Sequence, residues 1–87
     1  MIFLKYTKQA QKDSLKLAAA NLKRKAETLL QVLTKNPYQS PPSFEKLKGI
    51  SAPIYSRRIN IQHRLVYQIL DDVQVVKVLR MWTHYGE

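Results

Sequence analysis

The stretch Ile54–Met81, IYSRRINIQHRLVYQILDDVQVVKVLRM, decides the fold. Isoleucine, valine, leucine and tyrosine dominate it, and two polar breaks, Asn60-Ile61 and Asp71-Asp72, divide it into Ile54–Asn60, Gln62–Leu70 and Val73–Met81. Runs of this composition joined by such short breaks predict three strands in consecutive antiparallel hairpins. Alternate side chains of a strand point to opposite faces, so Leu65, Tyr67 and Ile69 share one face and Arg64, Val66 and Gln68 the other. The more apolar set is expected to pack inward, leaving Arg64 on an open face. Of the neighbours Arg57 and Arg58, one faces the packed side or its margin and the other the open face. A three-residue turn at Asn60 would set Arg58 directly across from Arg64. Arg80 is expected to join them, and Val66, Val76 and Val78 to give the same open face apolar patches.

Upstream the period changes. Pro37–Ser43 (PYQSPPS) has low propensity for regular structure and is too short to link two domains. Before it, Leu22, Ala26, Leu29, Leu30 and Leu33 recur at helical spacing, predicting a helix over Leu22–Lys35. Asn36-Pro37 ends it, because a residue preceding proline is pushed out of the α region. Lys8–Ala20 consists of good helix formers, with Thr7 as N-cap and Gln11, Leu15, Ala18 and Leu22 on one face. Asn21 interrupts the two helices as a turn or second cap. Met1–Tyr6 reads as a short strand. The expectation is an α+β domain: two N-terminal helices packed on one face of a small, mainly antiparallel four-stranded sheet.

At 87 residues the chain has room for a single domain, 1–87. It has no cysteine, which excludes a disulfide framework, a thiolate metal site and a cysteine nucleophile. Its apolar start is too short for a signal peptide, and no segment approaches the roughly 20 apolar residues of a membrane span. A small, soluble, basic cytoplasmic domain is expected. Fifteen Lys and Arg face six Asp and Glu, for a net charge of +9, which makes nucleic acid the first candidate partner. Lysines predominate in the helical half, and four of the five arginines lie in the strand half. Lysine steers toward a polyanion as a flexible point charge; arginine grips phosphate through a planar fork. Lys8, Lys12 and Lys16 line one helix face, either as a solvated surface or as a steering surface for RNA.

Between Glu27 and Asp71 there is one acid, Glu45, set among Lys35, Lys46, Lys48, Arg57, Arg58 and Arg64. The two histidines are His63, beside Arg64, and His84 near the C-terminus. Glu, Arg and His together match what RNA strand cleavage without a metal needs. A base takes the ribose 2′-hydroxyl proton, cations hold the phosphorane, and an acid protonates the departing 5′-oxygen. Each residue also has a plainer role, Glu45 as a salt-bridge partner and His84 as an exposed tail residue. No clustered carboxylates, metalloprotease helix motif, phosphate loop or dinucleotide fingerprint is present, so neither metal nor cofactor is expected.

The run Tyr55-Ser56-Arg57-Arg58-Ile59, then His63-Arg64-Leu65-Val66-Tyr67, Asp71-Asp72 and His84-Tyr85, preceded by Glu45-Lys46-Leu47-Lys48, resembles the YoeB/Txe branch of the RelE-like toxins. The resemblance implies a RelE-like fold and a ribosome-dependent mRNA endonuclease, the toxin of a toxin–antitoxin pair. It implies Glu45 as general base, His84 as general acid and Arg64 as the phosphate-stabilising arginine, with Arg58 in support and Tyr85 positioning substrate. Lys46, Lys48, Arg57, His63 and Arg80 are candidate RNA contacts. The implied partners are mRNA, the ribosome and a YefM/Phd-like antitoxin on the open face; a homodimer is compatible with it. The alternative is a non-catalytic RNA- or ribosome-binding module of the same fold. The chain departs from the family in its proline-rich Ser40–Phe44 approach to Glu45, in Tyr55 where tryptophan is common, in the longer Met81–Thr83 segment before His84, and in the Gly86-Glu87 that follows His84-Tyr85.

Overall fold

The computed structural model describes residues 2–47 and 53–82. Strand β1 (Phe3–Tyr6) leads into helices α1 (Lys8–Ala19) and α2 (Lys23–Lys35), followed by β2 (Glu45–Leu47), β3 (Ile54–Arg58), β4 (Arg64–Leu70) and β5 (Val75–Arg80). The strands form a five-stranded sheet in the order β1-β5-β4-β3-β2. β2, β3, β4 and β5 pair antiparallel in succession, whereas β1 runs parallel to β5. The connection from β1 to its parallel partner β5 runs through both helices and the other three strands. One strand more is present than expected. β2 has only three residues and follows a proline-rich segment, too little for a period to show.

Local chemistry sets the boundaries. The Thr7 hydroxyl accepts from Ala10 N–H, capping α1, and donates to the Leu79 carbonyl. Asn21 takes the left-handed conformation (φ 60°) between the helices, where asparagine is one of the few tolerated residues. Asn36 is extended at the end of α2, as its proline neighbour requires. The Asn60 side chain accepts from Gln62 and His63 N–H, closing a turn in which Ile59 and Asn60 N–H donate to the His63 carbonyl. That geometry sets Arg58 directly across from Arg64. The β4–β5 connection is longer than a two-residue hairpin: Asp71–Val73 form a 3₁₀ turn and Gln74 is left-handed (φ 54°).

The core lies between the sheet and the helices. Ala10 and Leu17 of α1 and Ala26, Leu29 and Leu33 of α2 meet Tyr55, Leu65, Tyr67, Ile69, Val76 and Val78. The α2 stripe and the inward set of β4 follow the periodicity. The α1 face does not: Leu15 is 73% exposed, and the buried residues are Ala10, Asp13 and Leu17. Val76 and Val78 are likewise not on the open face. They stand across from Ile69 and Tyr67, residues directly opposite share a face, and both valines are fully buried against the helices. Val66 does belong to the face that carries Arg64, but it is buried too. At Val66/Tyr67 a β-bulge shifts the register so that Val66 pairs with Arg80.

Candidate active site

Glu45 lies across from Ser56 in the β2–β3 register, Ser56 across from Val66, and Arg58 across from Arg64. Alternation along the strands therefore brings Glu45, Ser56, Arg58 and Arg64 to one face of the sheet. With Ser43 and Phe44 they line a cleft of about 300 Å³. Arg64 Nη1 stands 3.7 Å from Glu45 Oε1 and donates to Ser56 Oγ at 3.4 Å. The Glu45 side chain is 63% exposed and that of Arg64 19%. The carboxylate thus faces solvent while the guanidinium is held from below. Ser56 is buried under the cleft and was not singled out from sequence; its place in the SRRI run is the only signal it gave.

Like charges directly opposite on a sheet destabilise it unless something lies between them. Glu45 offsets part of the repulsion between Arg58 and Arg64. A bound anion would offset more, since two guanidiniums on one side of a shallow cleft match phosphate oxygens. A carboxylate beside such an anion is placed to accept a proton from an attacking hydroxyl.

The other expected contacts are placed differently. Arg57 is 1% exposed. Its Nε donates to the Tyr67 hydroxyl at 2.9 Å, Nη2 to the carbonyls of Pro37 and Gln39, and Nη1 to that of Pro42, while its guanidinium lies 4.7 Å from the centre of the Phe44 ring. It ties residues 37–42 to the sheet and has no surface to offer RNA. Burial pushes the Tyr67 phenol above its ordinary pKa, although the charge of Arg57 and its hydrogen bond act the other way. Lys46 lies across from Tyr55, on the face opposite Glu45, at the exposed edge of the sheet. His63 is buried, stacked on Trp82 with ring centres 3.8 Å apart. Arg80 does not join the two open-face arginines. A bulge sets it across from Val66, and its Nε turns to the buried Asp13 of α1, donating at 3.0 Å. Lys48, His84 and Tyr85 lie outside the described residues.

Among the described residues no group of three or more His, Asp or Glu could hold a metal ion, and no helix is long and apolar enough to cross a membrane.

No curated protein sequence matches the chain significantly. Solved structures do. It is 28% identical to a YoeB/ParE toxin from Agrobacterium tumefaciens, with a TM-score of 0.84 over 97% of this chain and 100% of the other. It is 31% identical to a chain of a YoeB–YefM complex from Staphylococcus aureus, with a TM-score of 0.78 over 98% of this chain and 99% of that one. An archaeal RelE–RelB complex from Pyrococcus horikoshii OT3 shares the fold at 22% identity and a TM-score of 0.79, covering 99% of this chain and 98% of its counterpart. The model of the YoeB-like toxins of bacterial type II toxin–antitoxin systems matches residues 6–85. The chain belongs to that family of toxins.

Proposed function

We propose that this toxin is an endoribonuclease that cuts mRNA on the ribosome by acid–base chemistry at the Glu45–Arg64 cleft. The observation that carries the reading is the convergence, from three strands, of one exposed carboxylate and two facing arginines on a single open face. Glu45 takes the proton of a ribose 2′-hydroxyl, and the 2′-oxygen attacks the adjacent phosphorus. Arg64, with Arg58 in support, holds the charge that gathers on the phosphorane oxygens. The bond from phosphorus to the 5′-oxygen breaks, and His84 gives that oxygen its proton, with Tyr85 helping to position the nucleotide. The products are a 2′,3′-cyclic phosphate and a 5′-hydroxyl.

The net charge of +9 favours encounter with a large polyanion. The S. aureus relative is bound to YefM, which supports an antitoxin of that type as the cellular partner, covering the open face. A YoeB dimer is also known from S. aureus, at 29% identity and a TM-score of 0.78, which supports a homodimer as a second assembly.

The test is cleavage of end-labelled mRNA on translating ribosomes. The wild-type protein should cut and leave a 2′,3′-cyclic phosphate. Glu45→Gln and His84→Ala should each lose about 100-fold or more in rate, the scale of a general base or acid, while still binding ribosomes. Binding without cutting by the wild type would replace this reading with that of a non-catalytic ribosome-binding module.

A further inference from the structure

Asp13 is a carboxylate at 0% exposure on the core-facing side of α1, an expensive place for a charge unless its oxygens are satisfied. They are. Oδ2 accepts from Arg80 Nε at 3.0 Å, Met81 N–H at 2.9 Å and Trp82 N–H at 3.3 Å, and Oδ1 accepts from Gln9 at 3.0 Å. The first three partners are consecutive residues at the end of β5, nearly seventy positions away in sequence. Arg80 Nη2 also donates to the Trp82 carbonyl at 3.0 Å, and the Trp82 ring stacks on His63. Trp82 is therefore held by its N–H, its carbonyl and its ring.

The site lies next to this anchor. Val66 pairs with Arg80, so the antiparallel register extended by two residues brings Trp82 alongside Arg64, and the stack on His63, the neighbour of Arg64, agrees. A core packed by apolar residues alone would not need an ionised group here. What the carboxylate adds is a fixed place for Trp82.

We propose that Asp13 is a positioning residue of the cleavage site: its buried carboxylate holds Trp82 in place, and through the Trp82–His63 stack it fixes the end of β4 that carries Arg64 into the cleft. The inference rests on the endonuclease reading for its catalytic half; the anchoring half stands on the hydrogen bonds alone.

Trp82 is the only tryptophan in the chain, so its fluorescence reports on the anchor itself. Asp13→Asn keeps the shape and one acceptor oxygen but loses the charge, and Arg80→Gln provides a milder second variant that leaves the carboxylate in place. In folded Asp13→Asn, judged by circular dichroism, Trp82 emission should move to the red and acrylamide should quench it more. Cleavage at saturating ribosome concentration should fall about 10- to 100-fold per folded molecule, the cost of misplacing a catalytic group by about 1 Å, with half-saturation unchanged. Arg80→Gln should show the same pair of effects at smaller size. A folded Asp13→Asn with wild-type emission and rate overturns the proposal, as does a rate loss equal to the unfolded fraction or one confined to half-saturation. If the wild type cuts nothing, the endonuclease reading fails, and the fluorescence of the two variants still decides whether Asp13 anchors Trp82.

Discussion

Asp13–Arg80 and Glu45–Arg64 are both carboxylate–guanidinium pairs, and they differ in how much water reaches the acid. The first has a fully buried carboxylate, a 3.0 Å contact, and three hydrogen bonds to one of its oxygens and one to the other. The second has a carboxylate 63% exposed and a looser 3.7 Å contact. A buried charge whose partners are all supplied by the protein is committed to the fold, because losing any of them leaves a desolvated ion behind. An arginine whose carboxylate partner is exposed and 3.7 Å away can exchange it for another anion at little cost. The same two chemical groups therefore hold the chain together in one place and leave a site ready to bind in the other.

The sharpest way to break this comparison is to truncate one member of each pair. Asp13→Ala leaves the Met81 and Trp82 N–H groups without their acceptor, and should cost about 2–4 kcal/mol of stability. Arg64→Ala should cost less than about 1 kcal/mol of stability, since its pair is exposed on one side. It should nonetheless reduce mRNA cleavage by about 100- to 1,000-fold, the scale of losing one group that stabilises transition-state charge. Chemical denaturation and ribosome cleavage assays of the two variants check both halves. Equal stability losses would show that the two pairs do the same structural work.

A smaller effect should appear on acidification. Burial raises the pKa of Asp13, but the hydrogen bonds from Met81 N–H, Gln9 and Arg80, together with the arginine's charge, outweigh it and hold the carboxyl below its usual value. The folded state thus binds this proton less readily than the unfolded chain. The stabilisation is fully present above the unfolded carboxyl pKa and is lost as the pH falls through the lower folded value. The stability gap between wild type and Asp13→Asn should therefore be flat near neutrality and shrink in acid. A gap that stays constant into strong acid would mean that the charge of Asp13 contributes nothing.

The two pairs also differ in how readily they could be read from sequence. Glu45 drew attention as a lone acid among cations, and the Arg58–Arg64 pairing followed from strand alternation and a three-residue turn. Asp13 gave no such signal. A charged residue in the first half of a lysine-rich helix looks solvated, and its partners are contributed by Arg80–Trp82 at the far end of the chain. The same long-range dependence hid the face of Val76 and Val78, set by pairing with Ile69 and Tyr67, and the direction of Arg80, set by a bulge and the buried Asp13. That one of Arg57 and Arg58 faces the helix side was legible, but the burial of Arg57, expected as an RNA contact, depends on three carbonyls of a loop that has no period. What the sequence carried was local: helix stripes, strand alternation, caps and stops. What it did not carry was which distant groups would satisfy a buried charge.

Salt gives the finest discrimination between the pairs. At physiological ionic strength charges are screened over about 8 Å, and at 1 M over about 3 Å, but only where ions and water can enter. The Glu45–Arg64 coupling, measured by a double-mutant cycle on stability, should be at most about 1 kcal/mol at low salt and fall toward zero at 1 M. The Asp13–Arg80 coupling should persist across the same range, because the carboxylate has no solvent contact through which ions could act. If both couplings fell together, the burial of Asp13 would not isolate it electrostatically. If neither fell, Glu45 and Arg64 would be locked to each other, and the cleft would not be free to exchange its carboxylate for a phosphate.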